Sequence, residues 1–245
     1  MAEESTDEDE VKRDLNAIYR DGRKPTFKDL ADVMEKHNLK VTGWEFPSLK
    51  KSPQLSERLY KALQFTFKLH GRDTRKASNV PYLAHLLSVC AMTQQDGGDE
   101  DEAIAALLHD ALEDKPEETS RAEIAELFGE RVLTIIETSI DTPPDYKGGA
   151  KLPWRERKEA YLAHVRSADS SLLRVTIADK IDNARAILAD YGRVGDELWK
   201  RFNAGRDDQL WYHESAVAAY DAAGYRGPLL EELRRLVAEM RSRTT

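Results

Sequence analysis

The sequence predicts an all-α protein, because apolar residues recur at helical spacing along most of the chain. The clearest stripe runs from Leu172 to Leu188, with apolar residues at intervals of one, four, four, three and four. Alternation of apolar and polar residues, which is typical of half-buried strands, never persists beyond a few positions. Glycines and prolines fall between the helical segments, and no internal repeat is visible. We therefore expect a helical bundle.

The first three predicted helices have distinct start and stop signals. A stripe that begins at Leu59 supports a first helix that ends near Gly71. Pro81 is well suited to be the first residue of a second helix, which continues through Met92. A third helix is expected over 102–112, since an aspartate at 114 and a proline at 116 follow it.

The later helices follow the same pattern. A short helix over 122–128 is expected to end at Gly129, and a further helix resumes over 132–138. The 172–188 stripe predicts a long helix, and leucines and a methionine over 229–240 predict the last one. Between them, residues 141–153 form the longest irregular segment, rich in proline and glycine. Such long loops in compact domains are usually functional or disordered.

Residues 1–50 are predicted to be an acidic N-terminal extension, and residues 51–245 the main domain. Within the extension, 11–21 and 26–38 have helical spacing, whereas the glycine and prolines of 41–54 indicate a linker. The first ten residues contain six acids and no base, which is typical of a solvated tail. Without them the chain has 37 basic and 39 acidic residues, so the remainder is nearly neutral.

Composition excludes several classes of protein. A 40% hydrophobic share suffices for a core, but no stretch approaches the roughly 20 apolar residues of a membrane span. The acidic N-terminus has no secretory signal, so we predict a cytoplasmic protein. The sequence has no long basic run interleaved with aromatic residues, so we predict that the protein does not bind nucleic acid. The single cysteine, Cys90, excludes an internal disulfide and is read as a buried, inert thiol. The oligomeric state is left open.

Four ordered segments contain the residues that suggest chemistry. They are RKASNVPYLAH at 75–85, ALLHDALED at 106–114, WRERK at 154–158 and ADKIDNAR at 178–185. His109 and Asp110 interrupt an otherwise apolar helix, where an unpaired buried carboxylate would cost several kcal/mol. A metal ion removes that cost, and His85 and Asp179 are polar breaks in two other apolar helices. Two histidines and two aspartates suit Mn²⁺, Fe²⁺ or Zn²⁺ better than Ca²⁺.

An acidic pair follows the His-Asp dipeptide by one helical turn. Glu113 and Asp114 are thereby expected near the ion without having to bind it. Carboxylates in that position can deprotonate an attacking water or protonate a leaving phosphate. The alternative interpretation is simple solvation of a helix end, but carboxylates are disfavoured at a helix C-terminus.

These segments resemble the hydrolase domain of the RelA/SpoT family and the related stand-alone small alarmone hydrolases. The match extends from about Leu55 to Asp190. The family pattern has a basic segment before Pro-Tyr-x-x-His, then Leu-Leu-His-Asp-x-x-Glu-Asp, then Leu-Ala-Asp-(Arg/Lys)-x-x-Asn-x-Arg. A lone His-Asp dipeptide is a weak signal, whereas the ordered set is specific. The resemblance implies an HD-domain helical bundle.

The resemblance also implies roles for individual residues. The metal ligands would be His85, His109, Asp110 and Asp179, and the catalytic acids Glu113 and Asp114. The nucleotide would be contacted by Arg75, Lys76, Ser78, Asn183 and Arg185. The implied reaction removes pyrophosphate from the ribose 3′ position of (p)ppGpp to give GDP or GTP, with manganese as the usual single ion.

Basic residues of the third segment are candidates for phosphate contacts. Arg157 and Lys158 are taken as substrate-binding, with Lys151 and Arg155 as weaker candidates. Arginine suits phosphate because its planar fork donates two parallel hydrogen bonds. The alternative is that these side chains are simply solvated, as most surface lysines and arginines are.

Three residues depart from the family pattern. Asn79 replaces a frequent glycine, Thr176 a frequent lysine, and Asp182 a histidine or tyrosine, which adds negative charge near the expected pocket. None is an expected metal ligand. Two alternatives therefore stay open: an HD-type phosphatase of another phosphate ester, such as a nucleoside monophosphate or NADPH, and a protein that binds an alarmone without cleaving it.

Overall fold

The structure is a computed structural model of the 245-residue chain. It describes residues 56–75, 78–142, 146 and 149–244, with separate positions between 10 and 37. The chain forms two compact units, Met1–Gln54 and Leu55–Thr245. The helices predicted over 11–21 and 26–38 and the linker over 41–54 lie largely outside the described residues, so they stay predictions.

Helices account for the regular structure of the second unit. They are α1 (Glu57–His70), α2 (Tyr82–Gln95), α3 (Glu100–Leu108), α4 (Ala111–Asp114), α5 (Arg121–Phe128), α6 (Glu130–Ser139), α7 (Trp154–Ser167), α8 (Arg174–Val194), α9 (Arg206–Ala222) and α10 (Pro228–Thr244). Short 3₁₀ helices lie at Ser170–Leu172 and Gly195–Arg201. The described residues contain no β-strand, only an isolated bridge between Thr74 and Pro81, which confirms the predicted all-α fold.

Side-chain caps explain where several helices begin. Ser56 accepts hydrogen bonds from the first-turn amides of α1. Asp99 and Glu102 form a reciprocal capping box at the start of α3. Pro81 is the N-cap of α2 and has extended backbone (ψ 134°), so that helix begins one residue later than predicted. Gly129 separates α5 from α6 with a φ of 93°, a conformation that glycine adopts without strain.

The core of the second unit is built around α8. This helix packs against α2, α3, α6, α9 and α10, and its Ile177, Ala178, Ile181 and Ala184 are completely buried. Helix α3 packs against α1, α2 and α6, and α9 packs against α7 and α10. Apolar contacts on several sides therefore fix the position of α8, which carries Asp179. No helix in the described part of the chain is long and apolar enough to cross a membrane.

The prediction of one continuous helix over 102–112 is wrong. Helix α3 ends at Leu108, His109 and Asp110 form a turn, and α4 begins at Ala111. The break has a local cause, because the His109 ring bonds the backbone carbonyl of Ala106 and Asp110 has a φ of −98° and a ψ of −4°. The turn brings two adjacent side chains towards one point, which a straight helix would hold about 100° apart.

Truncation of a fully buried core residue is expected to destabilise this bundle. Ile135 on α6 is completely buried, so Ile135→Ala should lower the free energy of unfolding by about 2–5 kcal/mol in urea denaturation of the full chain. Leu127→Ala is the matched control, because Leu127 on α5 is an exposed apolar residue. Equal changes in the two variants would contradict this description of the core.

Candidate functional site

Four side chains from three parts of the bundle converge on one centre. His85 lies on α2, His109 and Asp110 occupy the turn between α3 and α4, and Asp179 lies on α8. Asp179 Oδ1 is 3.4 Å from His85 Nε2 and 3.7 Å from His109 Nε2. Asp110 Oδ2 is 3.7 Å and 3.1 Å from the same two nitrogens. Ligand atoms of His85, His109 and Asp179 all lie within 4.8 Å of one another, a spacing that suits a metal ion.

Hydrogen bonds fix the orientation of both histidines. Nδ1 of His109 lies 2.9 Å from the carbonyl oxygen of Ala106, and Nδ1 of His85 lies 2.7 Å from Oδ2 of Asp182. Carbonyl and carboxylate oxygens only accept, so each Nδ1 carries a proton and each Nε2 is the ring nitrogen that faces the centre. This arrangement is typical of histidines that bind metals.

The carboxylates of the centre are also held in place. Tyr82 donates its hydroxyl to Oδ2 of Asp110. Asp179 accepts from Lys180 Nζ at Oδ2 and from Asn183 Nδ2 at Oδ1, both at 2.5 Å. With its partners positioned on three sides, the centre has little freedom to rearrange.

The charges of the centre favour a bound cation. Burial alone raises the pKa of Asp179, but Lys180 and the two histidines outweigh burial and hold that pKa well below its ordinary value. Burial alone lowers the pKa of His85, but the surrounding carboxylates raise it to about 9. Burial likewise lowers the pKa of His109, yet Asp110 and Asp179 raise it well above its usual range. The centre therefore stabilises positive charge strongly.

The centre opens into a cavity of about 1260 Å³. The side chains of His85, His109 and Asp179 are at most 9% exposed, whereas that of Asp110 is 24% exposed, so solvent reaches the centre from the side of Asp110. Both members of the acidic pair, Glu113 and Asp114, line this cavity. Glu113 accepts a hydrogen bond from Lys151 Nζ at 2.7 Å.

Arg75, Ser78 and Asn183, three of the predicted nucleotide contacts, line the cavity. Arg75 donates to Asp182 and, at 2.8 Å, to Asn183 Oδ1, so its guanidinium lies above α8. Ser78 also lines the cavity, and its hydroxyl bonds the carbonyl of Arg75 at 3.4 Å. Lys76 lies outside the described residues and stays a prediction.

The remaining predicted contacts have protein partners of their own. Arg157 is buried and Lys158 largely so, and both bond the carboxylate of Asp141 in the irregular loop. Burial raises the pKa of Asp141, but Lys158 and Arg157 outweigh burial and lower it. Arg185 reaches the cavity wall, but its guanidinium contacts Met92 Sδ at 3.2 Å and Glu232 at 2.5 Å. Its predicted contact with the nucleotide stays a prediction.

Several residues that shape the site had no assigned role in the sequence. Asp141, Lys180 and Asp182 supply the ion pairs just described, and Tyr82 fixes Asp110. Tyr82 and Lys180 lie inside two of the four ordered segments that suggest chemistry, so the sequence already indicated that they are near the site. Asp141 had none, because its partners are 16 and 17 residues away in an irregular region.

Known proteins have sequences similar to about half of this chain. A guanosine-3′,5′-bis(diphosphate) 3′-pyrophosphohydrolase of Aquifex aeolicus is 34% identical over 140 residues, which are 55% of this chain and 18% of that protein. The bifunctional (p)ppGpp synthase/hydrolase SpoT of Escherichia coli K12 is 28% identical over 139 residues, 54% of this chain and 18% of that protein. This chain thus matches less than a fifth of the length of either relative.

Solved structures resemble the fold. A metazoan ortholog of SpoT, described as hydrolysing ppGpp, superposes with a TM-score of 0.61 at 22% identity, covering 75% of this chain and 96% of the other. A structure from Listeria monocytogenes EGD-e gives a TM-score of 0.54 at 28% identity, covering 63% of this chain and 97% of the other. The profile of the HD domain family matches residues 62–210, more than half of the chain. The predicted relationship is confirmed, and the chain belongs to the HD domain family.

Proposed function

We propose that this protein is a metal-dependent 3′-pyrophosphohydrolase of (p)ppGpp. The observation that carries the proposal is the convergence of two imidazoles and two carboxylates at the base of a cavity that Glu113 and Asp114 also line. The segment that contains these residues lies within the match to the HD domain family, and relatives that align with about 55% of this chain are named for this activity. We therefore propose (p)ppGpp as the nucleotide substrate.

The residues of the centre fit a divalent cation. Nε2 of His109 is buried and has no hydrogen-bond partner among the described residues, although Asp110 Oδ2 lies 3.1 Å away. A metal ion would satisfy this nitrogen, and His85, His109, Asp110 and Asp179 would hold it. Two nitrogens and two carboxylates suit Mn²⁺, which we propose as the ion, with Fe²⁺ and Zn²⁺ as alternatives. Such a cation, when bound, supplies Lewis-acid activation of water and of a phosphate oxygen.

Glu113 is the proposed proton acceptor. Glu113 lines the cavity, and the ammonium group of Lys151 donates a hydrogen bond to its Oε1. Arg157 Nη1 lies 4.0 Å from the same oxygen. In this position Glu113 can orient a water and take its proton, while Asp114, on the same short helix, can return a proton to the leaving group.

Basic side chains around the cavity match the charge of a nucleotide with two diphosphates. Arg72, Arg75, Lys115, Lys151, Arg157 and Lys158 all line it. Several of these cations already pair with acids, so they are oriented before substrate arrives. Preorganised cations cost less to order on binding than free surface side chains do.

A substrate panel tests the proposal. Purified protein with Mn²⁺ is expected to release pyrophosphate from ppGpp, and to act poorly on nucleoside monophosphates and NADPH, which lack a 3′-diphosphate. Release is measured with a pyrophosphate-specific assay, and nucleotide products are identified by anion-exchange chromatography. Buffer without metal and protein treated with chelator are the controls.

Two outcomes would point to the alternatives. Cleavage of a monophosphate or of NADPH with ppGpp left intact would agree with the proposed metal centre but would exclude ppGpp as the substrate. Tight binding of ppGpp by the Mn²⁺-loaded protein without any turnover would favour a binding protein. The Asp182 departure from the family pattern is the reason to keep NADPH in the panel.

A further inference from the structure

Asp182 connects the metal centre to the wall of the cavity. It lies on α8 three residues after Asp179, so the two carboxylates share a face of the helix. Its Oδ2 accepts the Nδ1 proton of His85 at 2.7 Å. The same oxygen accepts a hydrogen bond from Nη1 of Arg75. One carboxylate thus holds a candidate metal ligand and a candidate substrate contact together.

The next residue completes a ring of four hydrogen bonds and one close contact. Nη2 of Arg75 donates to Asn183 Oδ1 at 2.8 Å, and Asn183 Nδ2 donates to Asp179 Oδ1 at 2.5 Å. His85 Nε2 lies 3.4 Å from that same oxygen. Starting at His85, the contacts run through Asp182, Arg75 and Asn183 to Asp179 and back to the imidazole. The guanidinium of Arg75 is therefore linked to two sides of the metal centre.

The carboxylate suits this position because both donors to its Oδ2 gain from its negative charge. An amide oxygen also has two lone pairs, but it is neutral, so both hydrogen bonds would lose their charge assistance. Burial alone raises the pKa of Asp182, but the bonds from His85, Ser88 and Arg75 outweigh burial and lower it.

We propose that Asp182 is a positioning residue that fixes the His85 tautomer for the metal ion and holds Arg75 for the substrate phosphate. The second part rests on the proposed function, whereas the first needs only a metal ion. Histidine or tyrosine, the family's usual residues here, cannot supply this carboxylate.

Isothermal titration of chelator-treated protein with Mn²⁺ tests the first part. Asp182→Asn is expected to weaken Mn²⁺ binding by about 10–100-fold, the usual effect of losing an outer partner of a metal ligand. Asp207→Asn is the matched control, because Asp207 is an exposed acid at the start of α9, and its Mn²⁺ affinity should equal that of wild type. Unchanged Mn²⁺ affinity in folded Asp182→Asn would overturn the proposal.

Kinetics at saturating Mn²⁺ test the second part. With the metal site filled, Asp182→Asn and Arg75→Ala are both expected to show a raised KM for ppGpp, with a smaller change in kcat. A wild-type KM in Asp182→Asn would reject the role in holding Arg75. If wild-type protein does not cleave ppGpp, the proposed function fails, yet the Mn²⁺ titration still decides the role of Asp182 towards His85.

A measurement on the unaltered protein guards against misfolding of the variant. Long-range ¹H–¹⁵N spectra of the Zn²⁺-loaded protein are expected to show His85 protonated at Nδ1, with His85→Gln used to assign the signal. A His85 ring protonated at Nε2 would overturn the proposal even if Asp182→Asn does not fold.

Discussion

His109→Ala is expected to abolish Mn²⁺-dependent pyrophosphate release from ppGpp. The substitution removes the Nε2 atom that faces the centre, so Mn²⁺ affinity should fall by more than the ~10–100-fold typical of losing an outer partner. The ring also bonds the carbonyl of Ala106, and losing that bond should cost only about 1 kcal/mol of folding free energy. Calorimetric Mn²⁺ titration and a release assay measure the two effects.

His213→Ala is the matched control for the loss of a buried imidazole. His213 on α9 is 3% exposed, and its Nδ1 lies 2.8 Å from the backbone carbonyl of Gln209, much like the contact of His109. Burial lowers the pKa of His213 to about 4, so it is neutral. The control should lose a similar amount of stability while binding Mn²⁺ as wild type does. Full activity in folded His109→Ala would contradict the proposed metal centre.

The positions of the metal-binding candidates were predictable because each is a polar exception in an apolar helix. His85, His109 and Asp179 lie beside buried apolar residues such as Leu86, Leu108 and Ala178, so the packing of the core brings them inside. The packing of the core thus determines where a polar residue of an apolar segment lies. The same argument explains why α8, with its regular stripe, was predicted well.

The turn at His109 was not predictable from periodicity. The segment from Glu102 to Leu112 is apolar apart from Glu102, His109 and Asp110, and such a run predicts one helix because periodicity does not register a single side-chain bond to a carbonyl. The break depends on the local contact of His109 with the carbonyl of Ala106, three residues earlier.

Helices α7 and α9 were not predicted as separate elements because polar residues occupy their buried stripes. On α7 the buried face includes Arg157, and on α9 it includes Gln209 and His213. Arg157 is satisfied by Asp141 from the irregular loop, and His213 by the carbonyl of Gln209 one turn earlier in its own helix. A single sequence does not reveal such pairings, and the contact of Asp182 with His85, 97 residues apart, is a further example.

Glu113→Gln is expected to lower kcat for ppGpp hydrolysis by about 10²–10⁴-fold, the range for losing a general acid or base. The amide keeps the shape of the side chain and its place in the cavity, but it does not take a proton from water. Mn²⁺ affinity should stay at the wild-type value, because Glu113 is a neighbour of the centre and not one of its four candidate ligands. This separation of kcat from metal binding distinguishes the acidic pair from His109.

Glu118→Gln is the matched control for Glu113→Gln. Glu118 follows α4, its side chain is 51% exposed, and it lies 3.8 Å from Lys115, so it makes the same kind of ion pair without lining the cavity. Its kcat should equal that of wild type. If Glu113→Gln retained wild-type kcat while Asp114→Asn lost it, the proton acceptor would be Asp114. If both variants retained wild-type kcat, the acidic pair would have no catalytic role, and proton transfer would have to be assigned to another group that lines the cavity.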